Sequence, residues 1–173
     1  MTIFIQRGLI MFKSLIVLAL LCAVPTIASA KDFKLGDDVA VTWITLPDTW
    51  EPVAIDDGVE GTSPDKETYV AAEIVKATEM KEAGDEAGKF FIKSKIKVDP
   101  ASKKEKDTTM SGLPAFDISW NATDEDGPTH VSLTIVKITD EKMLLLTYWG
   151  SEAGEKSNGK ELGAIAESIK PIK

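Results

Sequence analysis

Apolar and polar residues alternate most regularly across residues 113–149, and the alternation predicts three consecutive strands. Phe116, Ile118, Trp120 and Ala122 interleave with Asp117, Ser119, Asn121 and Thr123, the two-residue period of a strand with one face buried. The turn Asp124-Glu125-Asp126-Gly127-Pro128 leads to a second strand, in which Val131, Leu133 and Ile135 alternate with Ser132 and Thr134. Beyond a second turn, Met143-Leu144-Leu145-Leu146-Thr147-Tyr148-Trp149 is largely apolar on both alternating sets. That strand is expected at the centre of a sheet, with both faces covered. Trp120 and Trp43 are expected in the core.

The rest of the chain supplies what should cover those faces. Residues 39–46 read as a strand ended by Pro47, and 50–63 as two short extended pieces around the turn residues Asp56-Asp57-Gly58. Residues 69–77 read as a longer strand. From Glu82 the period becomes helical, with Ala83, Ala87, Phe90, Phe91 and Ser94 on one face. Gly84 and Gly88 weaken this helix by about 1 kcal/mol each relative to Ala, and Asp99-Pro100 ends it. Residues 103–110 are polar and suit an edge strand, where lysines discourage pairing with another chain. Residues 150–157 read as a loop and 158–169 as a second helix, with Asn158 and Glu161 as a capping pair and Leu162, Ile165, Ala166 and Ile169 as its docked face.

Residues 1–30 carry the pattern of a secretory signal peptide: Lys13, an apolar run over 14–24, and the small-residue site Ala28-Ser29-Ala30. Met11 is an alternative start. The apolar run falls short of the roughly 20 residues a permanent span needs, so a transmembrane anchor is not expected. Cleavage after Ala30 places the chain in the periplasm or outside the cell and leaves residues 31–173 as a single domain. The whole sequence has a net charge of −8, and Arg7, Cys22 and His130 are its only arginine, cysteine and histidine. An acidic chain with no arginine beyond its leader is poorly equipped to grip nucleic acid. With no cysteine and one histidine in the domain, the common nucleophilic and zinc chemistries lack parts, so no catalytic residue and no cofactor is assigned.

Several short stretches, taken in order, resemble the Mog1/PsbP-like superfamily. They are Leu46-Pro47-Asp48-Thr49-Trp50, Ser63-Pro64-Asp65, Gly112-Leu113-Pro114-Ala115 and Glu167-Ser168-Ile169-Lys170-Pro171. The resemblance implies an α+β fold: an antiparallel sheet of six to seven strands with helices packed on it, an α/β/α sandwich. That superfamily includes an accessory protein of a photosystem, a partner of a small GTPase and many exported bacterial proteins of unknown role. It therefore implies an exported, non-enzymatic accessory or interaction module of the bacterial envelope, with another envelope protein as partner. A small-ligand or divalent-metal binding protein of the periplasm is the alternative.

Candidate contacts follow from charge and aromatics. Lys89, Lys93, Lys95, Lys97, Lys103, Lys104 and Lys106 face only Asp99 and Glu105 over the same stretch, a basic surface in an acidic chain suited to an acidic partner. Trp50 and Trp149 fall at strand ends, where an aromatic either closes the core or lines a cleft. Asp124, Asp126 and His130 are weak metal candidates, because the turn lacks the first and last ligands of a calcium loop. Asp56, Asp57 and Glu60 form a second acidic turn. Gly154-Glu155-Lys156-Ser157-Asn158-Gly159-Lys160-Glu161 nearly spells a phosphate loop, but Glu161 stands where the magnesium-holding hydroxyl belongs. Two strongly apolar strand faces leave room for a dimer, and are equally expected beneath two layers.

Overall fold

The structure, a computed structural model, describes residues 29–172. The signal-peptide reading thus lies almost wholly outside the described residues. The described residues hold eleven strands and two α-helices: β1 (Ala30–Leu35), β2 (Thr42–Pro47), β3 (Val53–Ile55), β4 (Gly58–Thr62), β5 (Thr68–Lys76), α1 (Met80–Lys93), β6 (Lys97–Val98), β7 (Lys104–Met110), β8 (Leu113–Thr123), β9 (Pro128–Lys137), β10 (Lys142–Ser151), α2 (Glu152–Ser168) and β11 (Lys170–Pro171).

The strands form two antiparallel sheets. In the larger the order is β3-β4-β5-β10-β9-β8-β6, with β7 also paired to β8, and in the smaller it is β1-β2-β11. The expected antiparallel α+β architecture is present, but the main sheet has eight strands and a separate three-stranded sheet joins one of the covering layers. The difference arises from short strands, such as the two-residue β6 and β11, whose existence depends on partners distant in sequence.

As the doubly apolar pattern requires, β10 lies mid-sheet between β5 and β9. Leu144 and Leu146 face a cluster with Ile44, Leu46, Trp50, Val70, Val136 and Ile165. Leu145 faces the opposite cluster, with Phe91, Ile96, Val131 and Leu133. Thus α1 covers one face, while the small sheet and α2 cover the other. Burial of this kind is the main favourable term in folding, at roughly 25 cal/mol per Å² of apolar surface.

The first helix starts two residues before the sequence pattern suggests, at Met80. The second starts six residues early. Ser151 caps it by accepting a hydrogen bond from the Gly154 amide (2.9 Å), and Glu152 and Glu155 suit the positive end of the helix dipole. Asn158 is therefore no cap but a buried residue inside the helix. Its Nδ2 donates to both carboxylate oxygens of Asp65 (3.2 and 3.0 Å) and to the Gly154 carbonyl (3.0 Å). The near phosphate-loop sequence is correspondingly helical.

Asp65 is the hub of this brace. It accepts from the Ser63 hydroxyl (2.5 Å), the Glu67 amide (3.1 Å), the Ser157 hydroxyl (2.9 Å) and Asn158. These donors, Ser63 first, hold its carboxyl at about 2 instead of 3.8. A depressed carboxyl stabilises the fold fully above the ordinary aspartate range, and the contribution disappears only as pH falls towards 2.

Candidate functional site

The sequence of α1 places small residues where large ones would complete the packing. Ala87 and Phe91 are buried against the sheet, and Phe90 stacks on Tyr69 with centroids 5.0 Å apart. One turn away along the helix, Gly84 and Gly88 present no side chain, and a Cβ built on either would meet nothing within 4 Å. After Lys93 the chain turns through Lys95 in the left-handed region (φ 60°), and Ile96 drops into the core before β6 pairs with Thr123 and Ala122 of β8.

The result is an open groove of about 1090 Å³ between α1 and the sheet. Trp120, Leu133, Ile96 and Val98 contribute its apolar lining, and Gly84, Gly88 and Ile92 form the helical wall. Ile92 is 76% exposed, one of the few large apolar side chains so placed. Trp120 is only half-buried, a correction to its expected core position, because no side chain on the glycine face of α1 reaches over it. Trp43 is also half-buried, with the Lys34 ammonium 4.7 Å from its ring centroid.

Lysines and acids share the edge of this groove. Lys89, Lys95 and Lys97 line it with Asp85, Asp124 and Glu125. Each acid has partners of its own. Glu125 pairs with Lys95, whose pKa the hydrogen bond raises, and Asp85 pairs with Lys81 at 2.9 Å. Asp124 Oδ1 accepts from the Asp126 and Gly127 amides (2.9 and 3.1 Å), and Oδ2 accepts from the Trp149 indole N–H (3.1 Å). Lys89 and Lys97 have no ion-pair partner among the described residues.

The seven-lysine run is thus divided. Lys89, Lys95 and Lys97 line the groove, whereas Lys104 and Lys106 are exposed on β7, Lys103 pairs with Glu105 just before it, and Lys93 is exposed at the end of α1 without lining the groove. Sequence reasoning identified these charges but not the apolar lining beside them. The available signal was Gly84 and Gly88, four apart in a helix that gains nothing locally from them.

The two other candidate sets are also placed. Trp50 and Trp149 share a depression of about 550 Å³ with Val53 and Pro64, but Trp50 is only 1% exposed and chiefly closes the core. Asp124 and Asp126 belong to the β8–β9 turn. His130 Nε2 lies 2.9 Å from Glu155 Oε1, which also accepts from the Tyr148 hydroxyl (2.9 Å). Among the described residues no three His, Cys, Asp or Glu side chains gather as a metal site.

On the other side of α1 lies an acidic cleft of about 480 Å³, lined by Asp57, Glu60, Tyr69, Glu73, Glu82 and Glu86 among others. The Tyr69 hydroxyl donates to Glu60 (2.6 Å), and burial followed by that contact raises its pKa. Burial, then the charges of Glu60, Glu86 and Asp57, raise the Glu73 carboxyl above 4.5. A raised carboxyl binds its proton more tightly in the folded chain, so its contribution to stability falls as pH rises above the ordinary glutamate range. Glu73→Gln should therefore raise Tm at pH 7. The gap should close as both proteins are taken below that range, and equal melting at pH 7 would contradict the assignment.

No helix among the described residues is long and apolar enough to cross a membrane. No protein-family model matches the sequence, and no curated protein matches it. Solved structures do match. Cyanobacterial PsbP (CyanoP) from Synechocystis sp. PCC 6803 aligns over 87% of this chain and 97% of its own, with a TM-score of 0.53 and 13% identity. LpqN of Mycobacterium tuberculosis, described as involved in cell envelope biogenesis, aligns over 83% and 92%, with a TM-score of 0.51 and 12% identity. A Bacteroides thetaiotaomicron VPI-5482 protein aligns over 83% of this chain and 48% of its own, with a TM-score of 0.53 and 14% identity. At such identities the likeness concerns the backbone alone: the chain shares the α+β fold of PsbP and LpqN.

Proposed function

We propose that this protein is an exported, non-enzymatic binding module whose working surface is the groove between α1 and the sheet. The observation that carries the reading is an apolar-lined groove held open by two helical glycines and edged by unpaired lysines. Apolar surface left uncovered beside convergent charge is where binding sites concentrate. The signal-peptide pattern supports export. LpqN, which shares the fold, is involved in cell envelope biogenesis, and this makes the envelope the natural setting. A non-catalytic role is the reading for a domain with one histidine and no cysteine, which lacks the parts of the common nucleophilic and zinc sites.

The test is a photo-reactive amino acid placed at Ile92 in the protein expressed in its own host. The same residue at Val39, which is 71% exposed and outside the groove, is the control. A discrete adduct from position 92 and none from 39 is the expected result. Equal adducts, or none from either, would remove the groove as the working surface.

A further inference from the structure

Resting on that reading, the occupant itself can be assigned by chemistry. We propose that the groove takes a single-chain amphiphile with an anionic head, a long-chain carboxylate, with its tail along Trp120, Leu133 and Val98 and its head between Lys89 and Lys97.

Three observations support this. First, the free charge of the groove is positive although the chain as a whole is acidic. Asp85 and Glu125 are committed to Lys81 and Lys95, which leaves the Lys89 and Lys97 ammonium groups against the Asp124 carboxylate alone, a net positive charge that attracts an anion. Second, the lining offers little backbone to an extended peptide. The amides and carbonyls of α1 are spent within the helix, and β8 is paired on both sides, to β9 and to β6 and β7. A peptide laid there would bury unsatisfied N–H and C=O groups, whereas an alkyl tail carries none. Third, the volume of about 1090 Å³ lies just above the range of roughly 300–1000 Å³ over which clefts hold small ligands, so a long alkyl chain has room.

The experiment is titration calorimetry on the purified protein with decanoate, dodecanoate and tetradecanoate below their micelle concentrations. Dodecanol serves as the neutral control. Two variants accompany it: Gly88→Leu, which fills the groove, and Lys89→Gln with Lys97→Gln. Because a side chain at position 88 meets nothing within 4 Å and Leu favours helix over Gly, Gly88→Leu should fold, and a melt verifies that it does.

The expected result is one dodecanoate per chain. Affinity should rise up to about fourfold for each added methylene, from the burial of a CH₂ group. Dodecanol should bind about fivefold more weakly, the scale of an exposed charge pair, and the double lysine variant should erase that difference. Gly88→Leu should abolish binding of both. Equal binding of carboxylate and alcohol, unaffected by the lysine changes, would overturn the anionic head. Failure of every probe to bind, or binding that survives Gly88→Leu, would overturn the amphiphile altogether. In either case a protein adduct from position 92 would leave the groove standing as a binding surface for a different occupant.

Discussion

Replacing Leu144 by Ala should cost about 3 kcal/mol of folding stability, lowering Tm by roughly 10 °C. Leu144 is 0% exposed and lies at the centre of the main sheet. Its cluster draws on β2, β4, β5, β9 and α2 through Ile44, Val59, Ala72, Val136 and Ile165. Deleting its branched end opens a cavity inside this cluster, and a sheet pinned by two neighbouring ladders has little freedom to collapse into the space. Urea unfolding of both proteins provides the measurement. A loss below about 1 kcal/mol would mean that the site repacks freely and that β10 is not the rigid centre of the fold.

Gly154→Ala should also destabilise, by about 2 kcal/mol, although alanine is the better helix former. A Cβ at this position would sit 2.5 Å from Glu67 Cβ and 2.7 Å from the Glu67 carbonyl oxygen, and that carbonyl accepts a hydrogen bond from the Ser151 amide (3.0 Å). Relief would require pulling the capped end of α2 away from the segment before β5, which would loosen the Asp65–Asn158 brace. Overpacking of this kind costs about 1–3 kcal/mol, against about 1 kcal/mol gained in helix propensity. Gly88→Ala has the same propensity gain and no clash, so it is the internal control: it should stabilise where Gly154→Ala destabilises. If both variants are more stable than wild type, the close approach at Glu67 is wrong.

The strands were legible because their burial follows a local rule. The alternation around Val131, Leu133 and Ile135 and the doubly apolar run around Leu145 translate directly into one covered face and two. The start of α2 was not legible. Gly154, Ser157, Asn158 and Gly159 are weak helix formers, and what holds them helical includes an aspartate 93 positions away from Asn158. β1 was missed for a related reason: it is an edge strand of mostly exposed residues, paired as a strand only with β2.

The binding groove lies between these cases. Its lysines could be counted in the sequence, and Gly84 and Gly88 could be seen as helix-weakening residues. That the glycines open over Trp120 is a property of how α1 sits on the sheet, and no periodicity encodes it. Trp120 shares the alternation of its strand and so was assigned to the core. Its half-exposure depends on side chains that a different element does not have.

The small sheet joins the two ends of the domain. β2 pairs with β1 on one side and with β11 on the other, the Thr45 amide donates to the Ser168 hydroxyl (2.8 Å), and the Thr42 hydroxyl donates to the Lys170 carbonyl (3.0 Å). These contacts span 123 and 128 positions in sequence, and such non-local pairings form late. For a chain made from its first residue onward, β2 has no finished setting until residue 171 has emerged, so the small sheet is the last part of this domain to close.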